Sequence, residues 1–207
     1  MTPGPYDVPE TPRAGADGFA PLGGEPDPVE AAGMVVEEDR GSLPYKLIHG
    51  EALVAAAAWA AGEAGIDLVD LTVPWEVVAD LGLPLALHDP LCPMTPPDFL
   101  AACVRTAVGR NVVVVAARPV TDTVKQVADG RLGGTVDRDA LAAVCSPIVL
   151  PSHVVRDLPG LPTRDFADLV GWLRERYDVE LVDAPPAARR VASEEDLRVL
   201  EALTDPR

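Results

Sequence analysis

The stretch Asn111-Val112-Val113-Val114-Val115-Ala116-Ala117 decides the fold class. Four consecutive β-branched residues crowd a helix and suit a pleated surface, and the absence of apolar/polar alternation predicts a strand at a sheet centre, covered on both faces. Working outward, residues 66–73 read as a second buried strand ended by Pro74, with shorter strands at 33–36, 85–87 and 179–182. Helical segments lie between them. The alanine-rich stretch from about 50 to 65, with Leu53 and Trp59, has high helix propensity. Trp75–Asp80 reads as a short helix or turn, Pro96, Pro97 and Asp98 prepare a helix at 98–108, and a short one is expected near 153–158. Phe166, Leu169, Val170 and Leu173 form one stripe of an amphipathic helix over 164–177. Ser193, with Asp196 three residues on and acidic residues between, caps a final helix, Glu194–Leu203. Strands interleaved with helices predict an α/β domain, a mixed sheet flanked by helices.

After Ala117 the texture changes. Residues 119–125 and 133–138 read as two extended segments joined by a turn at Asp129-Gly130, a hairpin-like arm protruding from the sheet, with 141–144 as a helical turn beyond it. At the other end, residues 1–30 hold seven prolines and six acidic residues against one Arg. So little apolar area does not offset chain-ordering entropy, so these residues read as a flexible leader to a domain at 31–207 that includes the arm at 118–147. Within the leader, Phe19-Ala20-Pro21-Leu22-Gly23-Gly24 offers one weak anchor.

Composition narrows the function. Acidic residues outnumber basic ones 33 to 17, a formal charge of −16, which disfavours general nucleic-acid binding because that relies on a basic surface to neutralise phosphates. A local basic pocket for a phosphorylated small molecule is compatible with this charge. Cys92, Cys103 and Cys145 lack the close pairings of zinc or redox motifs. No basic segment leads into an apolar run, and the stretch at 52–61 is too short to cross a bilayer. A cytoplasmic location with reduced cysteines and no membrane partner is expected.

The arm carries the most specific motif. Pro119-Val120-Thr121-Asp122-Thr123-Val124-Lys125, then Thr135-Val136-Asp137-Arg138, then Leu141 through Pro147 resembles the arm of the 2-C-methyl-D-erythritol 4-phosphate cytidylyltransferase family. Leu43-Pro44-Tyr45-Lys46, His88-Asp89-Pro90-Leu91-Cys92-Pro93 and Arg190-Val191-Ala192-Ser193-Glu194-Glu195-Asp196-Leu197 are similar to three further family stretches. The resemblance covers about 33–204. It implies a Rossmann-like nucleotide-diphospho-sugar transferase fold. It also implies Mg²⁺-dependent attack of a polyol phosphate on the α-phosphorus of CTP, releasing pyrophosphate, in a homodimer whose arms reach across.

On the matching positions, the resemblance implies phosphate-facing catalytic roles for Arg40, Lys46 and Arg190, contact with the acceptor phosphate for Thr123 and Arg138, and a metal role for Asp89. The chain also departs from the pattern. Glu37-Glu38-Asp39-Arg40-Gly41-Ser42 stands where the family has a longer glycine-rich loop, and three successive carboxylates repel a triphosphate. Asp80-Leu81-Gly82-Leu83-Pro84 leaves no room for a cytidine-binding insertion, and Cys92 replaces an Arg. Three functions are therefore expected in order: a diverged relative, weak or inactive in transfer, that retains a phosphate-ligand pocket; an active CTP-dependent enzyme; or a transferase for another nucleotide or polyol phosphate.

Overall fold

The computed structural model describes residues 30–205; the expected leader lies, but for Glu30, outside the described residues. The chain opens with β1 (Ala31–Val35), a 3₁₀ turn at Leu43–Tyr45, and a two-stranded ribbon of β2 (Leu47–Ile48) and β3 (Glu51–Ala52). His49 and Gly50, both at positive φ, make the turn between β2 and β3, and β3 leads directly into α1 (Leu53–Glu63). Then follow β4 (Ile66–Leu68), α2 (Trp75–Asp80), β5 (Leu85–His88), α3 (Pro97–Arg110) and β6 (Val113–Pro119). The hairpin β7 (Lys125–Ala128) and β8 (Arg131–Thr135) leads to β9 (Ala142–Leu150), α4 (Ser152–Asp157), α5 (Phe166–Arg174), β10 (Val179–Asp183) and α6 (Glu194–Leu203).

Six strands form the main sheet in the order β10-β6-β9-β5-β1-β4. β9 runs antiparallel to both its neighbours, whereas β1 is parallel to β4 and β5, and β10 to β6. The valine run shows why periodicity was absent there. Val113 and Val115 join a core with Leu85, Leu87, Ile148 and Leu150 beneath α2, α4 and α5, while Val114 faces Ala86, Val149, Leu100 and Val104 beneath α1 and α3. Each face is buried, so every position is apolar. β1 approaches β4 closely enough that a Cβ on Gly33 would lie 2.4 Å from Cγ2 of Ile66.

Some local expectations are corrected. Residues 141–144 are not helical: Ala142 opens β9, which fills the gap between β6 and β5, and this pairing overrides local alanine propensity. The helical turn falls earlier, at Arg138–Ala140, where the Asp137 carboxylate accepts from the Asp139 amide. The strand expected at 66–73, at the sheet edge, ends at Leu68; the Val69 amide makes a last bond to the Gly33 carbonyl at 2.8 Å, and Leu71 and Val73 leave the ladder and pack against the core.

The arm's turn forms as read, but its strands are the shorter β7 and β8 rather than 119–125 and 133–138. Asp129 and Gly130 both take positive φ, as a tight I′-type hairpin turn requires, and all residues of β7 and β8 are exposed. Among the described residues no helix is long and apolar enough to cross a membrane. The connections set the site. β1 passes through α1 to β4 on one side, and β4 then crosses back through α2 to β5 on the other side of β1, so strand order reverses at β1. In open α/β sheets the crevice at such a reversal, outside the carboxyl ends of the strands, is where ligands bind.

Candidate functional site

Two segments meet at that crevice: residues 36–42, leaving β1, and Asp89, the first residue after β5. Asp89 is 1% exposed, a burial that an isolated carboxylate does not tolerate. Both of its oxygens are engaged. Oδ1 accepts from Arg40 Nε at 3.2 Å and from the Leu91 amide at 2.9 Å, and Oδ2 accepts from Arg190 Nε at 2.9 Å. Asp89 thus joins three distant pieces of chain: the β1 loop, its own motif, and the segment before α6.

The two arginines differ. Arg40 has a side chain only 4% exposed; its Nη atoms donate to the carbonyls of Glu38 at 3.3 Å and Arg164 at 2.8 Å, and its guanidinium lies 5.7 Å from the Phe166 ring centroid. It is a tie holding the β1 loop against the start of α5. A salt bridge from Arg164 to Glu38 closes the same junction. Arg190 is 38% exposed, and among the described residues its bonding partner is Asp89 through Nε, which leaves its Nη edge for a ligand. Burial opposes its charge, but attraction and hydrogen bonding to Asp89 prevail and raise its pKa.

Behind Asp89 lies a buried polar pair. The Ser146 hydroxyl accepts from the Asp89 amide at 2.9 Å and sits 2.5 Å from His88 Nδ1. The consistent assignment has the hydroxyl donating its proton to Nδ1 and the ring proton on Nε2, which is buried without a partner among the described residues. Burial depresses the His88 pKa from 6.5 to about 4, against the attraction of Asp89. Cys92, in the same motif, is fully buried with Ala116, Cys145 and Ala188. Burial first and the Asp89 charge second push its thiol well above the usual range, which makes it packing rather than a nucleophile.

The remaining expected residues are placed apart. Lys46 follows the 3₁₀ turn and pairs with Glu194, the first residue of α6, at 2.8 Å. Thr123 and Arg138 line a cavity of about 280 Å³ at the arm with Thr135, Asp137 and Asp139. There Arg138 donates to the Thr121 carbonyl at 2.7 Å. Beside the β1 and β4 ends a cleft of about 520 Å³ is lined by Val35, Glu37, Glu38, Val69, Asp70 and Thr72 among others. Side-chain and then backbone hydrogen bonds from Thr72 lower the Asp70 pKa, and Tyr45 donates to Glu37 at 3.2 Å. A further cavity of about 610 Å³, between α1 and residues 93–97, is mostly apolar and lined by Glu51 and His49 but no Lys or Arg, so it does not suit phosphates.

Arg164, Phe166 and Ser146 were not among the residues expected at the site. Arg164 lies 124 residues from Arg40 and Ser146 lies 57 from Asp89, so no local spacing signals either contact.

A doubly wound mixed sheet with two arginines meeting Asp89 at the reversal point is a Rossmann-like α/β fold, the class that the resemblance implies. Similarity to known proteins sharpens this class. The family model of 2-C-methyl-D-erythritol 4-phosphate cytidylyltransferase matches residues 76–205, more than half of the 207, and the chain belongs to that family. It is 28% identical over 171 residues to that cytidylyltransferase of Corynebacterium diphtheriae, covering 79% of this chain and 64% of the relative. It is 37% identical over 124 residues to the Nocardia farcinica enzyme of that name, covering 58% and 53%. The chain thus spans less than two thirds of the length of these relatives. The crystal structure of the Thermus thermophilus cytidylyltransferase superposes with a TM-score of 0.65 at 22% identity, over 84% of this chain and 98% of that one, a likeness of fold.

The metal expected at Asp89 does not fit the donors present. Mg²⁺ is commonly held by one or two carboxylates with free oxygen lone pairs together with substrate phosphates. Here two guanidiniums and an amide occupy three of the four lone-pair positions of Asp89. Among the described residues no group of three or more His, Cys, Asp or Glu side chains is placed to hold an ion.

His88 sets a pH dependence. Its folded pKa lies below its unfolded one, so unfolding takes up a proton between pH 6.5 and about 4, and stability is full above this window and lost as pH falls through it. In urea titrations the protein is expected to lose about 2 kcal/mol more between pH 7 and pH 4.5 than a His88→Asn variant does. Equal losses would show that His88 does not titrate in this way.

Proposed function

We propose that the chain transfers a cytidylyl group from CTP to a polyol phosphate. Family membership supports this reading, and the observation that carries it is Arg190, held by Asp89 at the carboxyl edge of the sheet with one guanidinium edge exposed. In the reaction an oxygen of the acceptor phosphate bonds to the α-phosphorus. The bond to the β-phosphate oxygen breaks, and pyrophosphate leaves with the electron pair. Two polyanions must be held together as charge shifts to the leaving group, so fixed cationic donors lower the barrier. Arg190 offers the developing charge a guanidinium edge, and Lys46 adds a second cation once a ligand phosphate displaces Glu194. Arg40 contributes by fixing the loop. Mg²⁺ supplies further charge neutralisation in the family's reaction.

Thr123 and Arg138 are assigned to the acceptor phosphate, with a hydroxyl and a guanidinium fork at one cavity. A homodimer would deliver them across to the partner's crevice. Support comes from Val127 and Leu132, which face each other across the hairpin and are 66% and 80% exposed. An isolated two-stranded ribbon with an uncovered apolar pair is marginal and gains stability from a second copy.

The acidic lining of the cleft, with Glu37, Glu38 and Asp70, favours a second reading, a diverged relative that binds a phosphorylated ligand and transfers nothing. Pyrophosphate release from CTP and methylerythritol phosphate separates the two. Release that needs both substrates and falls at least about tenfold in Arg138→Ala is expected; a folded protein that releases none sinks the transferase reading. Light scattering is expected to give the mass of two chains, and that of one for Leu132→Asp. A wild-type monomer at assay concentrations would remove the arm's proposed role.

A further inference from the structure

We infer that Asp89 is a guanidinium anchor rather than a metal ligand, and that the Arg190 it orients forms an oxyanion site for a pyrophosphate-class ligand that works without a divalent cation. The inference rests on the transferase reading for the identity of the ligand, and departs from the family pattern on the metal.

Charge is the first argument. One buried carboxylate faces two guanidiniums, so the cluster carries a net positive charge before any ligand arrives. Of the neighbouring carboxylates, Glu38 is neutralised by an arginine of its own, whereas Asp165 also attracts Arg190. Glu38 pairs with Arg164, Glu37 accepts from Tyr45, and Asp165 caps α5 by accepting from the amides of Ala167 and Asp168. A dication at Asp89 would sit between two guanidiniums and displace at least one of them. An oxyanion instead completes the cluster.

Mobility is the second. Arg40 has its Nε and both Nη atoms bonded and its side chain buried, so withdrawing it leaves the Asp89 carboxylate underpaired, a costly state for a buried charge. Arg190 has a different geometry. Asp89 holds its Nε, which sets the plane of the guanidinium, and its half-exposed Nη edge presents two parallel N–H donors, the fork that matches two phosphate oxygens. Asp89 is therefore a positioning residue, and Arg190 the residue that touches the ligand.

The test uses the full chain in EDTA. Calorimetric titration with inorganic pyrophosphate is expected to show binding that weakens at least about tenfold in Arg190→Ala. Arg190→Lys keeps the charge but loses the tether and fork, and is expected to recover only part of it. Asp89→Asn is expected to weaken binding as well, although it removes a negative charge from the site, an outcome that simple repulsion would reverse. In NMR spectra, Mn²⁺ with or without pyrophosphate is expected to leave the amides of Asp89 and Leu91 no more broadened than the rest. Selective broadening there, or pyrophosphate binding that appears only when Mg²⁺ replaces EDTA, overturns the inference. The two proposals fail separately: metal-free binding without cytidylyl transfer sinks only the transferase reading, and transfer accompanied by Mn²⁺ broadening at Asp89 sinks only this one.

Discussion

A single buried carboxylate organises the crevice. Asp89 sits at the end of β5, where the hydration of a charge is lost, and it is tolerated because charged and neutral donors reach it from three directions. The consequences spread from there. Arg40 can be buried only because Asp89 neutralises it, and a buried Arg40 pins the loop after β1 to Phe166 and to the carbonyl of Arg164. The same carboxylate draws Arg190 from the segment before α6 to the edge of the sheet. The short β1 loop, which lacks a glycine-rich cradle of backbone amides, is given its shape by side-chain ties instead.

This exchange gives the departures from the family pattern a common physical cause. A long glycine loop binds phosphates with backbone N–H groups and needs little from side chains. A short acidic loop cannot do so; Glu38 pairs with Arg164, Glu37 accepts from Tyr45, and Asp39 is exposed. Cys92, where the family has Arg, is consistent with this arrangement. It lies in an alanine-rich pocket that has no room for a guanidinium, while Arg40 brings the charge to Asp89 from another direction. His88 and Ser146 complete the support from behind by satisfying the Asp89 backbone amide.

Much of the fold was legible because its signals are local. The valine run, the Asp129-Gly130 turn and the Ser193 cap each state their conformation within a few residues, and each formed as read. β9 was misread because alanine in a short window does not reveal that an antiparallel strand must fill the sheet between β6 and β5. The edge position of β4 was equally hidden, since apolar residues at 69–73 look the same whether they pair in a ladder or fold beneath it. At the site, resemblance brought Arg40, Asp89 and Arg190 to notice, and the structure brings these three together. It could not reveal that one arginine is spent on the loop while the other keeps an edge exposed. That division depends on Arg164, 124 residues along the chain from Arg40, and on Phe166 just beyond it.

The claim that Asp89 binds the crevice together through Arg40 is most directly tested by a double-mutant cycle on unfolding free energy with Asp89→Asn, Arg40→Gln and the pair. Partners in one buried network are coupled, whereas independent sites add. A coupling of about 2 kcal/mol or more between the two positions is the expected result. Additivity to within about 0.5 kcal/mol would contradict the account, because it would mean that the loop and the β5 motif are held by something other than this carboxylate.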